Sequence, residues 1–225
     1  MKTTIAVILG LAVLLGLWWS SSGILLGENV VRVKLRDFVF HIPERYSMEG
    51  AAPFWLRWTQ GLDDGSNQFM FSVSYEEVRT AVPALKGEGP FFAILSVLSD
   101  EELARTRSPG PLERAMWYDV GTYKGRRIEP FGDAGWYRLY HPLETKSWSV
   151  LSRYPDPDTP VPDDPDTFYV ARCGSRVGGK TTSCLTHALF DRIMVDFSTE
   201  EENLVLVDQI RDFMIAKVLE WKQSL

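Results

Sequence analysis

Histidine, cysteine and clustered positive charge are the scarce features of this chain. Its three histidines, His41, His141 and His187, stand far apart in 225 residues, and none shares the i, i+4 or H-x-H spacing that zinc sites favour. The sequence has no Gly-x-Ser-x-Gly elbow, no Ser-x-x-Lys and no free Cys/His couple, so the common nucleophile arrangements lack the residues to build them. Basic runs are missing as well. A formal net charge of -6 and a pI near 5.2 argue against nucleic acid, since displacing counterions from phosphates takes a basic surface. These absences lead us to expect no cofactor, no metal, no catalytic residue and no nucleic-acid partner.

One absence is local. Residues 3–27, TTIAVILGLAVLLGLWWSSSGILLG, hold no charge, and a helix of that length crosses a hydrocarbon core of about 30 Å at ~1.5 Å per residue. Lys2 and the small Ser20-Ser21-Ser22 are compatible with a cleavable signal peptide. Continuation through Ile24-Leu25-Leu26, with Trp18-Trp19 as interfacial anchors, favours an uncleaved span. No cysteine stands near position 20, which excludes a lipid on the N-terminus. Arg32, Lys34 and Arg36 follow the span closely and weaken the vote of Lys2 on orientation, but so short an N-terminal tail normally stays inside. We expect a signal anchor at 1–27 in the inner membrane, and an exported domain at 28–225 in the periplasm.

The two cysteines bracket RCGSRVGGKTTSC, residues 172–184, in which Gly174 to Thr181 matches the phosphate-loop pattern G-x-x-x-x-G-K-[ST]. Such a loop needs a buried strand before it, a helix directly after it, and further parallel strands carrying an acidic magnesium ligand. Too few residues follow Thr181 to supply them once a final helix is set aside. No nucleotide is expected. A β-hairpin fits better: Thr167–Arg172 as a strand, Gly174–Lys180 as a turn, Leu185–Phe190 as the return. Cys173 and Cys184 then face each other at ~4.5–5.5 Å, within disulfide reach; the alternative is a pair of reduced, buried thiols. A disulfide suits an oxidising compartment, which agrees with export. Arg176 and Lys180, at the hairpin tip, become candidate contacts for a partner.

Along the rest of the chain, Val31, Val33 and Leu35 alternate with charge and Phe38–Ile42 continues the pattern, giving an opening pair of strands. Phe54–Thr59 and Gln68–Tyr75 flank turn formers at Gly61–Asn67 and form a second hairpin. Phe91–Leu98 is either strand or helix, and Asp100–Arg107 is helical. Arg126–Phe131, Trp136–Tyr140 and Ser147–Leu151 make a meander. Pro155–Asp166 is a Pro/Asp loop whose carboxylates lack calcium-loop spacing, so a solvated spacer is expected. Ser198-Thr199-Glu200-Glu201 forms a capping box opening a helix over 199–222, and Leu204, Val207, Ile210, Met214, Val218 and Trp221 form its buried stripe. The fold class is α+β: a mainly antiparallel sheet with a C-terminal amphipathic helix, behind one N-terminal transmembrane anchor.

Eight Trp, eight Tyr and twelve Phe fill cores first and anchor interfaces second, which makes a binding module the natural class. The segment Asp37–Tyr46, the run Cys184–Phe190 behind Cys173, and the final strand with its capped helix resemble small envelope-anchored proteins encoded beside type VI secretion effectors in Gram-negative bacteria. Some of that group are immunity proteins that block a toxin in the periplasm. The resemblance implies a toxin-neutralising or secretion-accessory role, and with the missing catalytic motifs it gives a non-catalytic, membrane-anchored periplasmic protein that binds another protein, such as a secreted effector toxin. Many of its members are anchored by lipid on cysteine; this chain departs from them there. The alternatives are an envelope hydrolase with an unrecognised site and a structural envelope protein. A reporter enzyme active only outside the cytoplasm, fused after Leu225, is expected to be active, and activity only from a cytoplasmic reporter overturns the expected topology.

Overall fold

Alternation sets the first pairing. In the computed structural model, β1 (Val30–Leu35) and β2 (Phe38–Pro43) form an antiparallel hairpin. Val33, Leu35, Phe40 and Ile42 are buried, while Arg32 and Lys34 stay exposed. The turn between them places Arg36 at φ 53, a left-handed conformation unfavourable for a bulky residue. Its guanidinium offsets that cost: Nε donates to the Val97 carbonyl at 2.7 Å and Nη2 to Glu102 at 2.6 Å. The structure describes residues 29–48, 67–143, 146–175 and 182–222. The expected anchor, the strand expected over Phe54–Thr59, and the hairpin tip with Arg176 and Lys180 lie outside them. Among the described residues no helix is long and apolar enough to cross a membrane.

The main sheet takes β3 (Gln68–Ser74), β4 (Pro90–Val97), β5 (Arg127–Phe131), β6 (Trp136–Tyr140), β7 (Ser147–Leu151), β8 (Tyr169–Ser175), β9 (Thr182–Phe190) and β10 (Ile193–Glu200). All pairings are antiparallel, in the order β3-β4-β10-β9-β8-β7-β6-β5. Strand order follows chain order from β5 to β10, and β10 then inserts itself beside β4. Of the ambiguous run Phe91–Leu98, all but Leu98 is strand, its even positions facing away from the core that Phe91, Ala93, Leu95 and Val97 enter.

Four helices accompany the sheet among the described residues. α1 (Tyr75–Ala81) starts where Ser74 accepts from the Glu77 N–H, and α2 (Asp100–Thr106) where Ser99 and Glu102 close a capping box. α3 (Pro111–Tyr118) opens on a proline, whose missing N–H costs nothing in a first turn. α4 (Val207–Trp221) lays Ile210, Met214, Val218 and Trp221 over Phe71, Leu95, Val195 and Phe197. The Trp221 ring meets Phe71 edge-on at 5.1 Å and Tyr46 at 5.0 Å. A second, smaller core gathers Met116 and Trp117 of α3 with Leu139, Leu151, Val161 and Phe168. Burial pushes the phenol of Tyr169, packed at its edge, up to about 12.

Two expectations are corrected. Ser198–Glu201 does not cap a helix: β10 continues to Glu200, with Thr199 paired to Cys184 and Glu200 to Ser183. A 3-10 turn, Glu201–Leu206, follows, and α4 begins only at Val207. Ladder hydrogen bonds and burial of Thr199 at 2% exposure outcompete the local capping preference. The stripe from Leu204 to Trp221 is nonetheless buried throughout. The Pro/Asp loop is solvated along most of its length, as expected, but it is docked rather than a free spacer. Trp117 Nε1 donates to the Thr159 carbonyl at 2.9 Å, the Val161 N–H to Tyr118 Oη at 3.0 Å, and Arg126 Nη2 to the Pro155 carbonyl at 2.7 Å. The loop lids the second core and buries Val161 in it.

Cys173 and Cys184 are register partners in β8 and β9, joined by a disulfide with Cα atoms 3.9 Å apart. Closing so short a loop stabilises by on the order of 3 kcal/mol in the chain-entropy model. In urea denaturation without reductant, Cys173→Ala is expected to lose up to about 3 kcal/mol. The gap should close when wild type is reduced, and a difference that survives reduction assigns the loss to packing alone.

Candidate protein-binding cleft

β8 and β9 pair only where Arg172–Ser175 meets Thr182–Leu185. Toward Val170 and His187 they part, leaving backbone carbonyls without ladder partners. Arg211 of α4 fills the split. Its Nε donates to the His187 carbonyl at 2.8 Å, and Nη2 to the Val170 carbonyl at 3.3 Å and to Thr186 Oγ1 at 3.1 Å. Nη1 donates to Asp208 at 3.1 Å, and the Thr186 hydroxyl donates to the Val170 carbonyl at 2.7 Å. Buried carbonyls must be paired, and the five-donor guanidinium fork can serve several at once.

The same place joins His187 to Asp166, with Nε2 2.9 Å from Oδ1. Asp166 arrives from the Pro/Asp loop because Asp164 caps the 3-10 turn Pro165–Thr167, accepting from the Asp166 N–H at 3.0 Å. Burial pushes the Asp166 carboxyl up, but the hydrogen bond and charge of His187, with Arg211 and Arg107 beyond, outweigh it and hold the group below its ordinary range. Across the ladder, His187 is the register partner of Asp196. Burial pushes the Asp196 carboxyl up, and His187 only partly opposes it. The pairing of His187 and Asp166 has the form of a base and its orienter. The adjacent hydroxyl, Thr186, is buried and spent on the Val170 carbonyl.

Beside this clamp a cleft of about 400 Å³ opens between the end of β9 and α4. Ala188, Phe190, Ile215, Ala216 and Leu219 give it an apolar floor, and Asp166 and Asp212 stand at its rim. Phe190 is 51% exposed. Ile215 and Leu219 lie off the buried stripe of α4 and are only partly covered, so the helix carries more apolar surface than its core uses. A larger hollow, about 610 Å³, lies beside β3 and α1, lined by more charged side chains, several of which pair within the fold. Tyr46 Oη donates to Glu77 at 2.6 Å, Lys217 Nζ lies 3.0 Å from the same carboxylate, and Arg79 donates to the Leu85 and Gly87 carbonyls. The cleft by β9 and α4 is the better binding surface, since covering half-exposed Phe190 and the open part of Leu219 is favourable and breaking paired charges is not.

The three histidines are not brought together: His41 sits in β2, His141 follows β6 with its ring 5.2 Å from Tyr123, and His187 is in β9. Among the described residues no group of three metal-ligating side chains forms. Sequence reasoning missed Asp166, Arg211 and Phe190. A signal existed for the cleft in Ile215 and Leu219, apolar residues off the periodic stripe; none existed for Arg211, whose partners are made by a split between strands.

The architecture defines an α+β class: an antiparallel sheet whose last strand is central, with a C-terminal helix on one face. It is similar to the structure of an immunity protein of the Stenotrophomonas maltophilia type IV secretion system, at a TM-score of 0.50 and 12% sequence identity, covering 88% of this chain and 94% of the other. No protein-family model matches the sequence, and no curated protein matches it significantly.

The two carboxylates around His187 respond to pH with opposite signs. Asp166, depressed in the fold, contributes stability above the ordinary carboxylate range that is lost as pH falls through its folded value. Asp196, raised in the fold, costs stability at neutral pH, and the cost disappears as pH falls through its folded value. Asp166→Asn is therefore expected to lower the urea midpoint at pH 7 and Asp196→Asn to raise it, both effects fading toward and below about pH 4. Midpoint shifts of equal sign would refute this assignment.

Proposed function

We propose that this protein is a non-catalytic binding protein that neutralises a toxin in the periplasm, held at the inner membrane by residues 1–27. The observation that carries the reading is the cleft: half-exposed Phe190 beside the partly covered Ile215 and Leu219, on a frame fixed by Arg211 and the His187–Asp166 pair. A rigid apolar surface loses little entropy when a partner covers it. Two features support it. The similar fold belongs to an immunity protein, and the Cys173–Cys184 disulfide suits an oxidising compartment. The sequence resemblance points to effectors of type VI systems, whereas the structural neighbour serves a type IV system; neutralisation of a delivered toxin is the reading common to both.

The test is protection. The reading requires a toxin encoded beside this gene: that neighbour's product, directed to the periplasm of a host cell, is expected to arrest growth, and co-expression of the full chain to restore it. A variant lacking residues 1–27 and kept in the cytoplasm should fail to protect. Arrest that the full chain does not relieve, together with no complex between the purified proteins, overturns the reading.

A further inference from the structure

We infer that the cleft between β9 and α4 receives a basic segment of the partner that carries one large apolar anchor. This inference rests on the protein-binding reading and adds the chemistry of what is bound. The floor sets the first requirement. Phe190, half exposed at the end of β9, faces the Ile215 and Leu219 side of α4, and Ala216 between them adds no bulk. A leucine, methionine or aromatic side chain inserted there buries apolar surface on both walls, the geometry in which interface anchors concentrate binding energy.

The rim sets the second requirement. Its ionisable groups are Asp166, His187, Arg211 and Asp212, with Asp208 one turn before. Arg211 is the cation that lines the cleft, with Arg107 beyond Asp166, and the Arg211 donors are committed to the His187 and Val170 carbonyls, Thr186 and Asp208. Asp212 is exposed and makes no ion pair or hydrogen bond among the described residues. Asp164, which caps the turn holding Asp166, extends the acidic side. The cleft thus has an apolar floor and a rim on which Asp212 offers an uncommitted carboxylate, on a chain whose net charge is -6. An acidic peptide or anionic lipid surface is repelled by such a rim, and a second copy of this acidic chain is disfavoured for the same reason. Lysine or arginine on either side of the apolar anchor complements it, with the charges steering approach and the anchor setting the lifetime of the complex.

The full chain in detergent micelles can be titrated with a fluorescent peptide, Lys-Lys-Leu-Phe-Lys-Lys, against two controls, Glu-Glu-Leu-Phe-Glu-Glu and Lys-Lys-Ser-Gly-Lys-Lys. The basic apolar peptide is expected to bind about tenfold or more tightly than either control, and less tightly as salt rises. Asp212→Lys, at an exposed position where folding is unaffected, is expected to weaken it by about tenfold, and Leu219→Asp by more. Glu76→Lys, beside the larger hollow at β3 and α1, should leave it unchanged. Equal binding of a control peptide, or an unchanged affinity in Asp212→Lys, overturns the inference. Failure here is separable from failure of the function. If the neighbouring gene's product binds wild type, Asp212→Lys and Leu219→Asp equally well, the cleft is wrong and protein binding stands. If that product does not bind wild type, the function itself falls.

Discussion

The structure depends on where β10 lies. It pairs with β4 on one side and β9 on the other, so it joins the β3–α1–β4 unit to the meander that runs from β5 to β9. Ile193, Val195 and Phe197 form the floor on which α4 rests. The residue that follows β10 extends the joint further: Glu201 accepts both arms of the Arg138 fork at 2.8 Å and the Trp148 indole N–H at 2.9 Å. Arg138 in turn lies over the Phe131 ring at 4.6 Å. One strand and its trailing carboxylate thereby fix β5, β6 and β7 relative to β3 and β4, and the clamp at Arg211 hangs from the helix that comes next.

Short-range pattern was legible in the sequence and long-range pairing was not. The alternation of Val31, Val33 and Leu35 with charge announced β1, and the spacing of Ile210, Met214 and Val218 announced the buried face of α4, because each signal is carried by a period of two or of 3.6 residues. The facing of Cys173 and Cys184 was legible because a hairpin is local. The start of α4 was misread because Ser198 and Thr199 satisfy a capping pattern, while the ladder to β9 that overrides it is visible only once β10 has been placed. Nothing local reveals that Asp166 meets His187, or that the loop over 155–166 covers Trp117 and Phe168. Those contacts follow from the strand order, and strand order is a property of the whole chain.

The cleft and the clamp divide the work between them. Arg211 makes no direct claim on a partner, since its donors face inward to carbonyls; what it supplies is a fixed distance between β9 and α4. Asp166 holds the adjacent strand through His187 and still leaves a carboxylate oxygen at the rim. Apolar surface at Phe190 and Leu219 is tolerable on an acidic chain because the neighbouring carboxylates keep copies of it apart. The same charges that discourage self-association select the sign of whatever docks.

The disulfide also has a place in time. Its two cysteines are only 11 residues apart, and a loop that short closes with little entropy loss. β10, by contrast, must bridge to β4, nearly a hundred positions earlier, as Ile193 paired with Val97 requires, and non-local closures of that kind are slow. The β8–β9 hairpin can thus come together before the last strand arrives, and the disulfide, once oxidised, keeps it closed. The edge of β9 then acts as a template, and what remains of folding is the capture of one strand and one helix rather than a search by the whole chain.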